Sequence, residues 1–249
     1  MDYYRVKLSV KKFLNQYNFQ SLTDRNIPIY PVIPQHINIL YKSKTGSKDM
    51  YSVINLATKI PKFKEKWYSK LNIRINNYTW KQVFKGCFKT MIDTSLIWFQ
   101  YRILNNILGV RELLNKIDSN VPSICRLCAS DIETIEHIFV DCPESQAIWN
   151  FIMNYIAEKI HINLTFTKEI ILLGYINSDT NFEPINVLLT VVKKHIFFCA
   201  STQRKPSFFA IKNKLRNIYN EHHFLALLKE TQLEFEKKWL RWEPIFIGV

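Results

Sequence analysis

Three of the chain's five cysteines and one of its six histidines fall between residues 125 and 142. Cys125, Cys128, His137 and Cys142 are spaced C-x2-C-x8-H-x4-C. Two residues between cysteines allow a tight turn to aim both sulfurs at one point, with Zn–S distances near ~2.3 Å. The second pair is harder to bring together. On one straight helix His137 and Cys142 would project about 140° apart, at about 100° per residue. They converge only if the chain turns between them. Pro143 gives a reason for such a turn, because proline is favoured at the first position of a new helix. Three thiolates and a neutral imidazole then form a closed tetrahedral shell. A closed shell leaves no position for water, so the expected ion is one structural zinc and not a catalytic one.

Two other readings of the cysteines are weaker. A redox pair needs its Cys-x-x-Cys at a helix N-terminus in a βαβ setting, and that setting is missing here. Independent core cysteines would explain each residue but not their joint spacing. Cys87 and Cys199 lie on apolar stretches and are read as buried structural cysteines. Asp131, Glu133, Glu136, Asp141 and Glu144 surround the four ligands, which makes this patch a poor phosphate binder.

Around this segment the signals are helical. Five glycines in 249 residues are too few for a many-turned β protein. Trp67 and Leu71 are four apart. Asn77 or Thr79 is the expected cap of a helix over "WKQVFKGCFKTM", and Asp93 or Thr94 of the next. In that next helix Leu96, Phe99, Ile103 and Ile107 mark a buried face, with Gly109 as its stop. A further helix starts at Pro143 and carries Ile148, Ile152, Tyr155 and Lys159. "INVLLTVVKKHIFFCAS" reads as a long apolar helix, and Ser207 as the cap of another. Phe235, Trp239 and Trp242 share a face near the end.

The expected fold is therefore mainly α: an irregular helical domain organised around a Cys3His zinc knuckle, with an extended N-terminal connector. The expected divisions are a connector over 1–60, where Pro28, Pro31 and Pro34 exclude a helix interior, a basic helical segment over 61–120, the zinc-binding segment over 121–160, and C-terminal helices over 161–249. No uncharged apolar run reaches 18 residues, and the first residues hold no apolar signal core. The expectation is no membrane span and an intracellular, reducing location, in nucleus and cytoplasm.

Charge points to a partner. Residues 1–90 hold 17 of the 34 Lys and Arg but only four of the 21 Asp and Glu. The whole net charge of +13 thus lies in the first third, and the remainder is balanced. Such asymmetry suits a polyanion, because each neutralised phosphate releases a counterion. The expected contacts are Lys62, Lys64, Lys66, Lys70, Arg74, Lys81, Lys85 and Lys89. They interleave with Trp67, Tyr68, Tyr78 and Trp80, which either stack on unpaired bases or anchor the core. Lys81, Lys85 and Lys89 are four apart and form one ridge on a helix.

The stretch "CRLCASDIETIEHIFVDCPESQAIW" also resembles a known family. Cys125, Cys128, Glu133, Thr134, His137, Phe139, Cys142, Pro143 and Trp149 are similar to the zinc-binding segment near the C-terminus of LINE-type (non-LTR) retrotransposon reverse transcriptases. The flanks "WKQVFKGCFKTMIDTSLIWFQYRILNNILGVRELL", "INVLLTVVKKHIF", "KPSFFAIKNKLRNIY" and "FEKKW" resemble that family too, so the likeness spans roughly residues 60–242. It implies a C-terminal part that helps position element RNA and target DNA for target-primed reverse transcription, with residues 1–60 as the tail of a thumb or the connector after it. The sequence departs from a whole enzyme. It has no Tyr/Phe-x-Asp-Asp polymerase motif and no endonuclease carboxylate set, so no catalytic residue is assigned. The chain reads as a fragment, a truncated copy or a derived stand-alone domain, with RNA or DNA and the upstream polymerase core as partners. A competing reading is a zinc-stabilised protein-interaction module that docks a partner protein or that core.

Overall fold

The computed structural model describes residues 62–72, 75–175 and 182–248. The connector expected over 1–60 lies outside the described residues, as does Arg74. In chain order the helices are α1 (Lys62–Leu71), α2 (Asn77–Thr90), α3 (Thr94–Leu104), α4 (Arg111–Ile117), a π-helical turn (His137–Asp141), α5 (Pro143–Ile160), α6 (Lys168–Leu173), α7 (Glu183–Thr202), α8 (Phe208–Leu228), α9 (Gln232–Trp239) and α10 (Glu243–Phe246), with a 3-10 turn (Leu240–Trp242) before α10. There is no β-strand among the described residues, only one antiparallel bridge between Ile124 and Ile132.

The helix starts follow local chemistry. Asn76, not Asn77 or Thr79, caps α2: its side chain accepts from Thr79 N at 2.7 Å. Asp93, one of the two expected candidates, caps α3 and accepts from Ser95 N at 2.8 Å. Each such bond satisfies one of the donors that a helix start leaves without an intrahelical partner. Pro143 opens α5. The end of α3 differs from the expectation. The helix stops at Leu104, and Asn106 takes a left-handed conformation (φ 57°). That turn throws Ile107 outward to 54% exposure, while Leu104 and Leu108 fill the core. The buried face of α3 is Leu96, Phe99, Gln100, Ile103 and Leu104.

At the centre lies α7, which packs against α2, α3 and α8 and against the π turn. By length and composition α7 could cross a membrane. In this fold its residues from Ile185 to Lys193 are buried almost without interruption, and side chains of other helices cover them. Phe197 meets Phe99 with centroids 5.8 Å apart. Lys193 is 1% exposed and donates to Gln100 Oε1 at 2.7 Å and to the Leu172 carbonyl at 3.3 Å. One buried ammonium thus ties α7 to α3 and α6.

Trp67 and Trp80, which the sequence left open between stacking and core, are 0% and 1% exposed. Trp67 Nε1 donates to the Leu104 carbonyl at 2.8 Å, and Trp80 packs edge-on to Phe63. Burying such rings is what holds short helices like α1, since alone they would be marginal. Phe235, Trp239 and Trp242 form the expected face and are buried with Tyr219 and Phe246. Cys199 is buried, as read. Cys87 lies in α2, and its side chain is outside the described residues.

Candidate metal centre

The Cys-x2-Cys loop closes on itself through backbone bonds. Cys125 N donates to the Asp131 carbonyl at 2.7 Å, and Glu133 N donates to the Ser123 carbonyl at 2.9 Å. Ala129 N returns to the Cys125 carbonyl at 3.0 Å. This turn requires a left-handed residue just after Cys128, and Ala129 fills it at φ 56°. An alanine there carries a Cβ clash worth about 1 kcal/mol. Ala129→Gly should therefore raise stability by several tenths of a kcal/mol, part of the relief being lost to the freer unfolded chain. Thermal unfolding of the zinc-loaded chain checks this; a lowered midpoint would contradict it.

The second half of the site is the π turn. Cys142 N bonds to the His137 carbonyl, five residues back, at 2.7 Å. That wider ring returns Cys142 to the side of His137, which an α-helical spacing would not do. Thr134 Oγ1 accepts from His137 N at 2.9 Å and fixes the start of the turn. Pro143 has no N–H to give to the Ile138 carbonyl, so Ser145 Oγ donates there instead, at 2.6 Å. Trp149 Nε1 donates to the Phe139 carbonyl at 2.7 Å. Thr134, Ser145 and Trp149 thus stabilise an irregular turn whose use is to aim two ligands.

The result is one cluster. The ligand atoms of Cys125, Cys128, His137 and Cys142 all lie within 4.8 Å of one another. His137 Nε2 is 3.3 Å from Cys128 Sγ. Cys125 and Cys142 are buried, and His137 is 7% exposed. Cys142 donates to Cys125 and holds that thiol down to about 5, against the opposing effect of burial. The same contact pushes Cys142 well above the ordinary thiol value. Backbone N–H groups of Leu127 and Cys128 point at Cys125, and those of Glu144 and Ser145 at Cys142. Such donors suit thiolate ligands. Three soft sulfurs and an imidazole within this span fit tetrahedral zinc, and all four positions are protein.

Residues 46–149 match the family model described as zinc-binding in reverse transcriptase. All four ligands fall in that stretch, which is a reverse-transcriptase-associated zinc-binding region with a structural zinc. The matched family supplies an accessory zinc-binding part, not a catalytic one. No curated protein matches the chain. The match ends at Trp149, within α5, yet its core is completed by α7 further on. Arg126 stacks over Phe197 at 5.3 Å, and its Nη1 is 3.4 Å from Ser201 Oγ.

The acidic rim read from the sequence is largely paired. Glu133 is 0% exposed and no rim residue at all. Its oxygens accept from Arg126 Nη2 at 2.5 Å, Arg126 Nε at 2.9 Å, Arg126 N at 2.9 Å and Arg111 N at 3.0 Å. Glu136 sits 2.7 Å from Lys70 Nζ, close enough for charge pairing but not aligned for a hydrogen bond. Asp141 pairs with Lys168 and Glu144 with Lys205, each at 3.3 Å. Of the expected phosphate contacts, Lys70 is therefore held against the knuckle. Lys66, Lys81, Lys85 and Lys89 are exposed; Lys89 lies 3.8 Å from Glu183. Lys64 is half-buried. Lys62 opens α1 and its side chain is outside the described residues. Sequence reasoning missed the Arg126–Glu133 pair, although an arginine between the two cysteines was its signal.

Proposed function

We propose that this chain is the nucleic-acid-handling C-terminal part of a LINE-type (non-LTR) retrotransposon reverse transcriptase. It would hold element RNA and target DNA for target-primed reverse transcription, in nucleus and cytoplasm, beside a polymerase core that supplies the chemistry. The observation that carries this reading is the combination of a closed zinc cluster with a comb of exposed lysines on α2. Lys81, Lys85 and Lys89 project from one side of that helix while Trp80 and Val83 enter the core. The zinc is a clip that fixes α5 and the knuckle loop, and the phosphate contacts lie away from it.

Lys81→Glu, Lys85→Glu and Lys89→Glu together should weaken RNA binding and flatten its salt dependence. Three lost phosphate contacts lower the slope of log K against log salt by about two to three. A filter-binding titration of the zinc-loaded chain reads this, and an unchanged slope would sink the idea. One observation favours the interaction-module reading. Leu228 and Leu233 flank the α8–α9 corner and Leu240 follows α9, and they are 64%, 73% and 64% exposed. On that reading the chain elutes early from immobilised RNA as salt rises.

A further inference from the structure

A second basic surface lies in the part of the chain whose overall charge is balanced. Here α3, α7 and α8 border a groove of about 210 Å³. Leu96, Val191 and Ile211 form its floor, and all three are buried. Phe198 lines it and is 55% exposed, so part of its ring remains open to solvent beside the groove. Lys194 and Lys214 stand at its rim, each tethered by a side chain at the start of α3. Lys194 Nζ donates to Ser95 Oγ at 2.5 Å, and Lys214 Nζ donates to Asp93 Oδ2 at 3.1 Å.

The positive charge there is only partly paired. Burial depresses Lys194 first, and Lys214 and Arg102 repel it further, with Asp93 alone opposing them. Lys214 is paired with Asp93, whereas Lys194 meets the Ser95 hydroxyl and Arg102 the Trp98 carbonyl. On the outer face of α3, Trp98 is 59% exposed and spaced three residues from Ser95 and four from Arg102. Arg102 Nε reaches back to the Trp98 carbonyl at 3.4 Å. Aromatic surface and held cations side by side suit a ligand that is flat and apolar at one end and anionic at the other. The volume admits one ring system, being below that of sites for drug-sized ligands. Bases inside a duplex are stacked and paired, and cannot enter it.

We propose that this groove holds one unpaired nucleotide of a single strand, its base against Phe198 over Leu96, Val191 and Ile211, and its phosphate on Lys194 and Lys214. This rests on the nucleic-acid reading above and adds to it a preference for single strands and a second contact surface apart from α2. Stacking on Phe198 supplies affinity without sequence choice, because every base has a flat face.

The test is fluorescence anisotropy of the zinc-loaded full chain with labelled oligouridylate, labelled oligothymidylate and a labelled blunt duplex. Phe198→Ala should weaken both single strands about tenfold and the duplex less than twofold. Lys194→Gln with Lys214→Gln should lower the single-strand salt slope by about one. Lys229→Gln, at an exposed lysine that ends α8, removes a charge elsewhere and should leave the single-strand affinity within twofold. Circular dichroism and zinc content, unchanged in Phe198→Ala, exclude misfolding as the cause. Equal losses on single strand and duplex, or none on either, would overturn the groove while leaving the nucleic-acid reading intact. Failure of the unsubstituted chain to bind any of the three probes would overturn both.

Discussion

Stripping the zinc, or replacing Cys142 by alanine, is expected to unfold much more than an eighteen-residue loop. Purified protein should carry one zinc per chain, and a chelator should remove it together with a large part of the helical signal. The reason is where the ligands sit. Cys142 is fully buried, and its neighbours Ile138 and Phe139 are 0% exposed within the main core. Phe139 meets Phe99 of α3 edge-on at 6.1 Å. The π turn that carries His137 packs on α5, α6 and α7. Its spacing is awkward for a helix, and zinc on His137 and Cys142 would add to the Ser145 and Trp149 bonds that hold it. Structural zinc in small fingers is worth on the order of 10 kcal/mol at neutral pH, comparable to the whole stability of a typical domain. Protons compete for the same sulfurs and imidazole, so metal and stability should be lost together as the pH falls. A zinc-free chain with undiminished helicity and an unchanged melting midpoint would refute this.

That coupling between site and core explains which parts of the molecule could be read from its sequence. The ligand set, Pro143 as the start of α5 and a cap of α3 at Asp93 or Thr94 were legible, because each depends on neighbours close in the chain. The route by which His137 and Cys142 converge was only half legible. A turn was required, but its π form depends on Ser145 and Trp149 reaching back to the Ile138 and Phe139 carbonyls. Aromatic roles were not separable by type. Trp67 and Trp80 are interior and Trp98 is exposed, and only the packing of α1 and α2 upon α3 decides this. Lys193 shows the same limit. Its spacing from Leu189, Ile196 and Ala200 places it on a buried stripe, but a lysine is seldom buried without a partner. That partner, Gln100, lies 93 residues earlier. The acids around the knuckle looked like a rim for the same reason, since sequence shows their charge but not the cations that meet them.

Among those acids, Glu133 is the one whose loss should matter most. Glu133→Ala is expected to cost about 3–5 kcal/mol, because it leaves the largely buried Arg126 guanidinium without its counter-charge. Compare the exposed pair of Lys116 and Glu112, four residues apart on α4; pairs of that kind contribute about 0.3–0.5 kcal/mol. The difference is solvent. Glu133 has no exposed surface and Arg126 only 13%, so water can replace little of what either charge loses when the other is removed. The carboxylate also organises the metal loop directly. It accepts from the backbone N–H of Arg126, between the two cysteines, and from that of Arg111 at the start of α4. Zinc should therefore leave Glu133→Ala faster in a chelator-competition assay, even in protein that still folds. Glu133→Gln keeps the shape and some acceptors and should fall between the two. The pairing argument has a sharper consequence. Arg126→Met combined with Glu133→Met removes both charges and should recover much of the stability lost by either single change, since the large cost lies in the orphaned partner. A double variant as unstable as the sum of the singles would show that the two residues act independently, and the account of Glu133 as Arg126's counter-charge would be wrong.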